Sequence, residues 1–333
     1  MSSLLIGLLS AAVATNQSAA ISNLIVQRTG ISITVPDKND PVEQAFQKLL
    51  ADDDVAQTEV DRWIQEAKGE AGQTDVIAQT TLRARVKQRL DGVKKAYEGF
   101  LQTYPKHAGA RLAYGSFLND IQEEAAAHDQ WEKARELNPK DPAAWNNLAN
   151  YYGHNGPVIK SFEYYQTAIN LNPTESVYYE NLATTVYLFR RDATNFYKIT
   201  EPEVFDKALA LYRQALALDT NNFLLSTRYA ESYYGIKLPK TGDDQADRRA
   251  ARKLNDEALT AWRLAHSLAR DDVEREGVLV HFARLNIMNE RFDEARRHLA
   301  AITNGMYSGI KRTLTRRLET AEGVSATNSA AKP

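Results

Sequence analysis

Aromatic and small side chains return along this chain at a fixed interval. Pro105, Pro139 and Pro173 are 34 residues apart, and each follows a stretch with helical spacing of apolar positions. Proline has no backbone N–H and cannot continue a helix, so each marks the end of one. An aromatic residue stands eight positions before each proline, and a small or medium residue twelve positions before it. These residues are Tyr97, Trp131 and Tyr165, and Val93, Ala127 and Ser161. The interval predicts repeated pairs of antiparallel helices.

The clearest repeat begins at Pro142 and reads Trp145-x2-Leu148-Ala149-x2-Tyr152, then Ser161-x3-Tyr165-x2-Ala168 and Pro173. The preceding repeat, 108–141, has the matching residues Tyr114, Gly115, Leu118, Ala127, Trp131, Ala134 and Pro139. This pattern resembles the tetratricopeptide repeat (TPR), a 34-residue helix–turn–helix. The resemblance implies an all-α fold, a right-handed α-solenoid of about five TPR-like repeats. We expect an irregular N-terminal segment before it and a C-terminal capping helix after it.

Three further repeats start at Ser176, at Phe223 and near Glu276, and 307–321 is the expected closing helix. An irregular leading pair, 57–69 with 79–104, precedes the first full repeat, so the predicted solenoid covers 57–321. The repeats at Ser176 and Phe223 carry inserts of 13 and 16 residues, near 189–203 and 235–250. The inserts lengthen the two helices of each pair or form loops, and the spacing leaves both interpretations open.

The two ends of the chain have different compositions. Residues 1–30 contain an apolar run, 4–14, that is shorter than the roughly 20 residues of a spanning helix but matches the core of a signal peptide. The sequence favours export to the periplasm or envelope over the cytoplasm. A helix packed on the solenoid, or membrane contact through residues 4–26, is the alternative. Residues 31–56 are predicted to be an extended acidic strap, and 322–333 a disordered tail.

Composition excludes several functions. The chain has no cysteine, so it has no disulfide, zinc-thiolate site or cysteine nucleophile. Its 41 Lys and Arg against 43 Asp and Glu provide no positive field for nucleic acid. The catalytic and phosphate-binding motifs GxSxG, HExxH and GxxxxGK[ST] are absent, and Asp52–Asp54 lacks the spacing of a calcium loop. We therefore expect no enzyme activity, no catalytic residue, no cofactor and no metal.

The resemblance implies that the first helix of each pair lines a concave groove. The predicted peptide-binding residues are Asn146, Asn147, Asn150, Glu180, Asn181, Thr184, Tyr187, Arg228, Glu231, Tyr234 and Arg284, with Ser116, Asn119, Thr227 and His281 beside them. Amides and phenols predominate, and amides can pair with the backbone of an extended peptide. Glu180 and Glu231 oppose an anion, so a clamp for a C-terminal carboxylate is not expected. The alternative is that these side chains only form hydrogen bonds between helices.

The sequence therefore predicts a non-enzymatic scaffold that binds a peptide or protein segment in the groove. The alternative is a structural or envelope-assembly protein, which acts through self-association or through its apolar N-terminus.

Overall fold

The computed structural model describes residues 40–69 and 76–330, and the regular elements in these ranges are all helices. They are α1 (Pro41–Gly69), α2 (Val76–Thr103), α3 (Ala108–Asp120), α4 (Glu124–Leu137), α5 (Pro142–Asn155), α6 (Val158–Leu171), α7 (Ser176–Leu188), α8 (Arg190–Tyr197), α9 (Glu201–Leu218), α10 (Phe223–Ser232), α11 (Asp244–Leu268), α12 (Asp272–Met288), α13 (Phe292–Ala301) and α14 (Ser308–Ala330). Short 3₁₀ turns at Tyr233–Gly235 and Gly305–Tyr307 follow α10 and precede α14.

Neighbouring helices pack as consecutive pairs. The pairs are α1 with α2, α3 with α4, α5 with α6, α7 with α9, α10 with α11, and α12 with α13, and α14 packs on the last pair. The predicted all-α helical-repeat architecture is confirmed. The chain divides after Pro173 into two compact units, called unit 1 and unit 2 below.

In unit 1, small and aromatic residues at the repeat positions make the core. Ala127 is buried in α4, and Trp131, one turn later, lies directly against Gly115 of α3. Tyr97 of α2 is buried, and its hydroxyl donates to Asp53 Oδ2 of α1 at 2.7 Å. Burial, reinforced by this carboxylate, raises the pKa of Tyr97 well above its usual value. The 34-residue pattern therefore encodes contacts between adjacent helices.

The prediction of an extended strap at 31–56 is wrong from Pro41 onward, where α1 begins; residues 31–39 lie outside the described residues. Buried residues repeat along α1 at three- and four-residue steps, the spacing of one helix face. They are Phe46, Leu49, Leu50, Ala56, Val60 and Trp63. The acidic residues that suggested an exposed strap lie beside this face, where Arg89 of α2 donates to Asp52 at 3.0 Å and Glu59 at 2.8 Å. The first helix of the leading pair is thus longer than the predicted 57–69.

In unit 2, both inserts combine a helix with irregular backbone, so neither of the two interpretations is complete. Residues 189–203 contain the short helix α8, and α9 begins at Glu201 behind a capping box formed by Thr200 and Glu203. Residues 236–243 have no helix, and α11 then runs for 25 residues. Asp243 begins α11 by accepting from the backbone N–H groups of Gln245 and Ala246. In each repeat the second helix is the one extended.

The predicted closing helix is present as α14. Leu314 and Leu318 are buried against Val280, Ala283 and Ile302, while Arg316 and Arg317 are exposed on the opposite side. The helix continues to Ala330, so the prediction of a disordered tail from residue 322 is wrong over most of its length; 331–333 lie outside the described residues. Extending an existing helix needs no new nucleation, which explains why a small, polar segment continues it.

No helix in the described ranges is long and apolar enough to cross a membrane. The apolar segment 1–30, with its predicted signal peptide and its possible membrane contact at 4–26, lies outside those ranges.

Candidate functional site

The predicted amides of unit 1 lie on α5 and face neighbouring helices. Asn146 and Asn147 are only 5% and 9% exposed. Asn147 Nδ2 donates to Ser116 Oγ of α3 at 3.3 Å, and Asn150 Oδ1 accepts from the Tyr165 hydroxyl of α6 at 2.5 Å. These bonds join successive helices, which is the alternative role that the sequence left open. A peptide-binding role for the three amides stays a prediction.

In unit 2 the first helices of the repeats are α7, α10 and α12. We call the side chains that meet or lie beside one another on them the first-helix face. It comprises Glu180, Asn181, Thr184, Tyr187, Arg228, Glu231, Tyr234, His281 and Arg284. Arg228 of α10 donates to the buried carboxylate of Glu180 on α7. Thr184 Oγ1 lies 2.9 Å from the Tyr212 hydroxyl of α9. Glu180, Thr184 and Arg228 therefore bond to neighbouring helices.

Tyr187 lies half-buried near the end of α7. Its ring meets Phe205 edge-on at 6.0 Å, and the Arg190 guanidinium lies 5.5 Å from its centroid. A Cβ atom at Gly235 would clash with the Tyr187 hydroxyl. Only glycine permits this approach, so the backbone after α10 packs directly on the tyrosine.

The other end of the face holds a group that we call the Tyr234 cluster: Glu231, Tyr234, Trp262, His281 and Arg284. The Tyr234 hydroxyl lies 2.9 Å from His281 Nδ1, and the His281 ring stacks on Trp262 at 3.7 Å with a 14° interplanar angle. The Arg284 guanidinium carbon is 5.5 Å from the Tyr234 centroid. Arg284 Nε is buried with no hydrogen-bond partner, and no carboxylate among the described residues lies within ion-pair distance of Arg284.

The groups around the Arg284 cation in the Tyr234 cluster differ in their protonation. Burial, reinforced by the Arg284 cation, lowers the pKa of His281 to about 4, so its imidazole is neutral at pH 7. Burial raises the pKa of Tyr234 to about 12, which keeps the phenol protonated. Burial also raises the pKa of Glu231, against the opposite influence of Arg228. Arg284 therefore has only neutral rings as its immediate partners.

Acidification is expected to destabilise the protein through His281. The unfolded histidine takes up a proton near its ordinary pKa of 6.5 and the folded one only near 4, so this contribution is complete above pH 6.5 and is lost as the pH falls toward 4. The loss at pH 5 is about 2 kcal/mol. An NMR titration of the ring and urea unfolding at pH 7 and pH 5 measure it. His281→Gln removes the titration, and an equally steep pH dependence in this variant would contradict the assignment.

The structure places Arg228 and Glu231 on α10, Arg284 on α12, and Tyr234 in the 3₁₀ turn that follows α10. The part played by Trp262 was not predicted from the sequence. Trp262 lies four residues after Ala258 on the second helix, the same spacing as that between Ala127 and Trp131. Nothing in that pattern showed that its ring would support His281. The described residues contain no group of three or more side chains able to hold a metal ion.

Comparisons with known proteins give a consistent fold. No family model matches the chain, and no curated protein matches it in sequence. Among solved structures, the C-terminal part of a TPR repeat-containing protein from Cytophaga hutchinsonii is 12% identical, with a TM-score of 0.50 over 81% of this chain and 98% of that one. PilF of Pseudomonas aeruginosa is 15% identical (TM-score 0.49, 78% and 98%). YrrB, described as a TPR protein with an unusual peptide-binding site, is 14% identical (TM-score 0.48, 67% and 99%).

At these identities the comparison shows the fold alone. Together with the helix pairs and the 34-residue pattern, it shows that this chain has the helical-repeat fold of tetratricopeptide repeat proteins.

Proposed function

We propose that the chain is a non-enzymatic protein-interaction scaffold that holds a peptide or protein segment on the first-helix face of unit 2. The observation that carries the proposal is the Tyr234 cluster. In it the partly buried Arg284 cation lies beside the Tyr234 ring and has no carboxylate of the described residues within ion-pair distance. Tyrosine and arginine are the residues that most often dominate binding energy at interfaces. A net charge of −2 for the whole chain favours a protein partner over nucleic acid.

The predicted amides of α5 are less suited to this role than Tyr234. Asn150 accepts a hydrogen bond from α6, and the buried Asn146 donates to its neighbour Asn147 on α5, so their replacement changes the fold as well as any surface. Tyr234 is 37% exposed, so a ligand can contact its ring while its hydroxyl remains beside His281. The alternative function, a structural or envelope-assembly protein that acts through self-association or through its apolar N-terminus, stays a prediction, and residues 4–26 lie outside the described residues.

Tyr234→Ala is expected to weaken peptide binding at least tenfold. The probe is a displayed library of random peptides, panned on the purified full chain and followed by affinity measurements on the enriched peptides. Truncation of an interface tyrosine commonly costs about 2 kcal/mol, which is more than tenfold. Leu264→Ala is the matched control, because Leu264 is 38% exposed but lies on the second helix α11. Circular dichroism verifies that both variants remain folded.

Two results would contradict the proposal. One is that no peptide is enriched over the bare support. The other is that Tyr234→Ala and Leu264→Ala bind the enriched peptides equally well.

A further inference from the structure

Arg284 differs from the other arginines of unit 2. Eight of these arginines form ion pairs with carboxylates: Arg190, Arg228, Arg252, Arg270, Arg275, Arg291, Arg296 and Arg297. Those without an ion pair among the described residues are exposed to water, except Arg284. A solvated arginine needs no partner, whereas the buried Nε of Arg284 has lost its hydration and has no hydrogen-bond acceptor in its place.

The neighbours of Arg284 cannot supply the missing anion. Tyr234 and His281 are neutral at pH 7, since the pKa of the first is raised and that of the second lowered. Glu180 is already bonded to Arg228, so it does not oppose an anion as the sequence suggested. Glu231 lies on α10 but not within ion-pair distance of Arg284. No carboxylate among the described residues is therefore in position to pair with Arg284.

We propose that Arg284 receives the carboxylate of an acidic side chain in the bound segment and so determines which segments bind. This inference rests on the proposed function of the first-helix face. A guanidinium matches a carboxylate through two parallel hydrogen bonds, which gives both affinity and orientation. The neutral phenol of Tyr234 beside it adds contact area without adding charge.

The surroundings of Arg284 favour a side chain inside the segment over its C-terminal end. Tyr234 lies on one side, and Met288, one turn further along α12, is 56% exposed. A segment that crosses the face therefore meets an aromatic ring and an apolar side chain around the cation. A single cation, with Glu231 on the adjacent helix, also suits one isolated acidic residue better than a run of acids. The ligand class is thus a segment with one Asp or Glu flanked by apolar residues.

Charge reversal at this position tests the inference. The displayed peptide library is panned separately on the wild type, on Arg284→Glu and on Arg263→Glu. Arg263 is the matched control, because it is an exposed arginine of α11 that forms no ion pair among the described residues. We expect wild-type and Arg263→Glu selections to share one enriched Asp or Glu position. We expect Arg284→Glu to bind those peptides at least tenfold more weakly and to select Lys or Arg at that position.

Synthetic copies of the enriched peptides distinguish the source of the carboxylate. Amidation of the C-terminus should leave affinity unchanged, whereas Glu→Gln or Asp→Asn at the enriched position should lower it at least tenfold. Loss of binding on amidation would overturn the side-chain assignment. Selections without an acidic preference, or unaltered by Arg284→Glu, would overturn the role of Arg284 while Tyr234-dependent binding still supported the scaffold function. Absence of any enriched peptide would overturn both.

Discussion

Replacing Trp262 by alanine is expected to lower the free energy of unfolding by about 3–5 kcal/mol, the usual cost of removing a buried tryptophan. The Trp262 ring is almost fully buried among Leu259, Ala265 and Phe282. It also supports His281 by stacking at 3.7 Å. Its loss leaves a cavity beneath the first-helix face and releases the imidazole toward water. The pKa of His281 should then rise from about 4 toward its ordinary value of 6.5.

Urea unfolding measures the stability change, and an NMR titration of His281 measures the pKa. Trp145→Ala serves as the control, because Trp145 is only half-buried at the surface of unit 1, beside Tyr164 and Arg135. Trp145→Ala should lower the free energy of unfolding by roughly 1–2 kcal/mol, since less apolar area returns to water than in Trp262→Ala. Equal losses of unfolding free energy in the two variants would show that the buried Trp262 contributes no more to stability than the half-buried Trp145. An unchanged pKa in Trp262→Ala would show that the stack does not keep His281 neutral.

Gly115→Ala is expected to destabilise the protein by about 1–3 kcal/mol although alanine has the higher helix propensity. A Cβ atom at position 115 would lie 2.5 Å from two atoms of the Trp131 ring and 3.1 Å from the Ala127 carbonyl oxygen. The indole is itself buried, so it cannot move aside without disturbing α4. The helix pair α3 and α4 would have to separate.

Gly99→Ala is the matched control for this substitution. Gly99 lies in the exposed part of α2, and nothing is within 4 Å of an added Cβ. There alanine should stabilise the helix by about 0.5–1 kcal/mol. Urea midpoints of the two variants should therefore move in opposite directions. A midpoint for Gly115→Ala at or above that of the wild type would mean that the close approach of α3 and α4 is not required.

The repeat architecture could be predicted from sequence because each repeat position encodes a contact with the nearest helix. Gly115 and Trp131 are sixteen positions apart, and Ala127 and Trp131 are one turn apart, so their spacing alone indicates a tight helix pair. The first part of α1, 41–56, was predicted as an acidic strap because acidic residues obscured its apolar face. In the structure Arg89, from the next helix, compensates Asp52 and Glu59. Composition within one segment cannot show a partner that lies some thirty residues away.

For the candidate site too, some features could be predicted from the sequence and others depend on the tertiary structure. By itself the sequence, through its resemblance to the tetratricopeptide repeat, assigned these side chains to the first helices of the repeats. Only the tertiary structure decided which of them bond to one another. Glu180 meets Arg228 across 48 positions of sequence, whereas Arg284 meets only neutral rings. The physical reason is that pairing depends on distances between separate helices, which the spacing of residues along one helix does not specify.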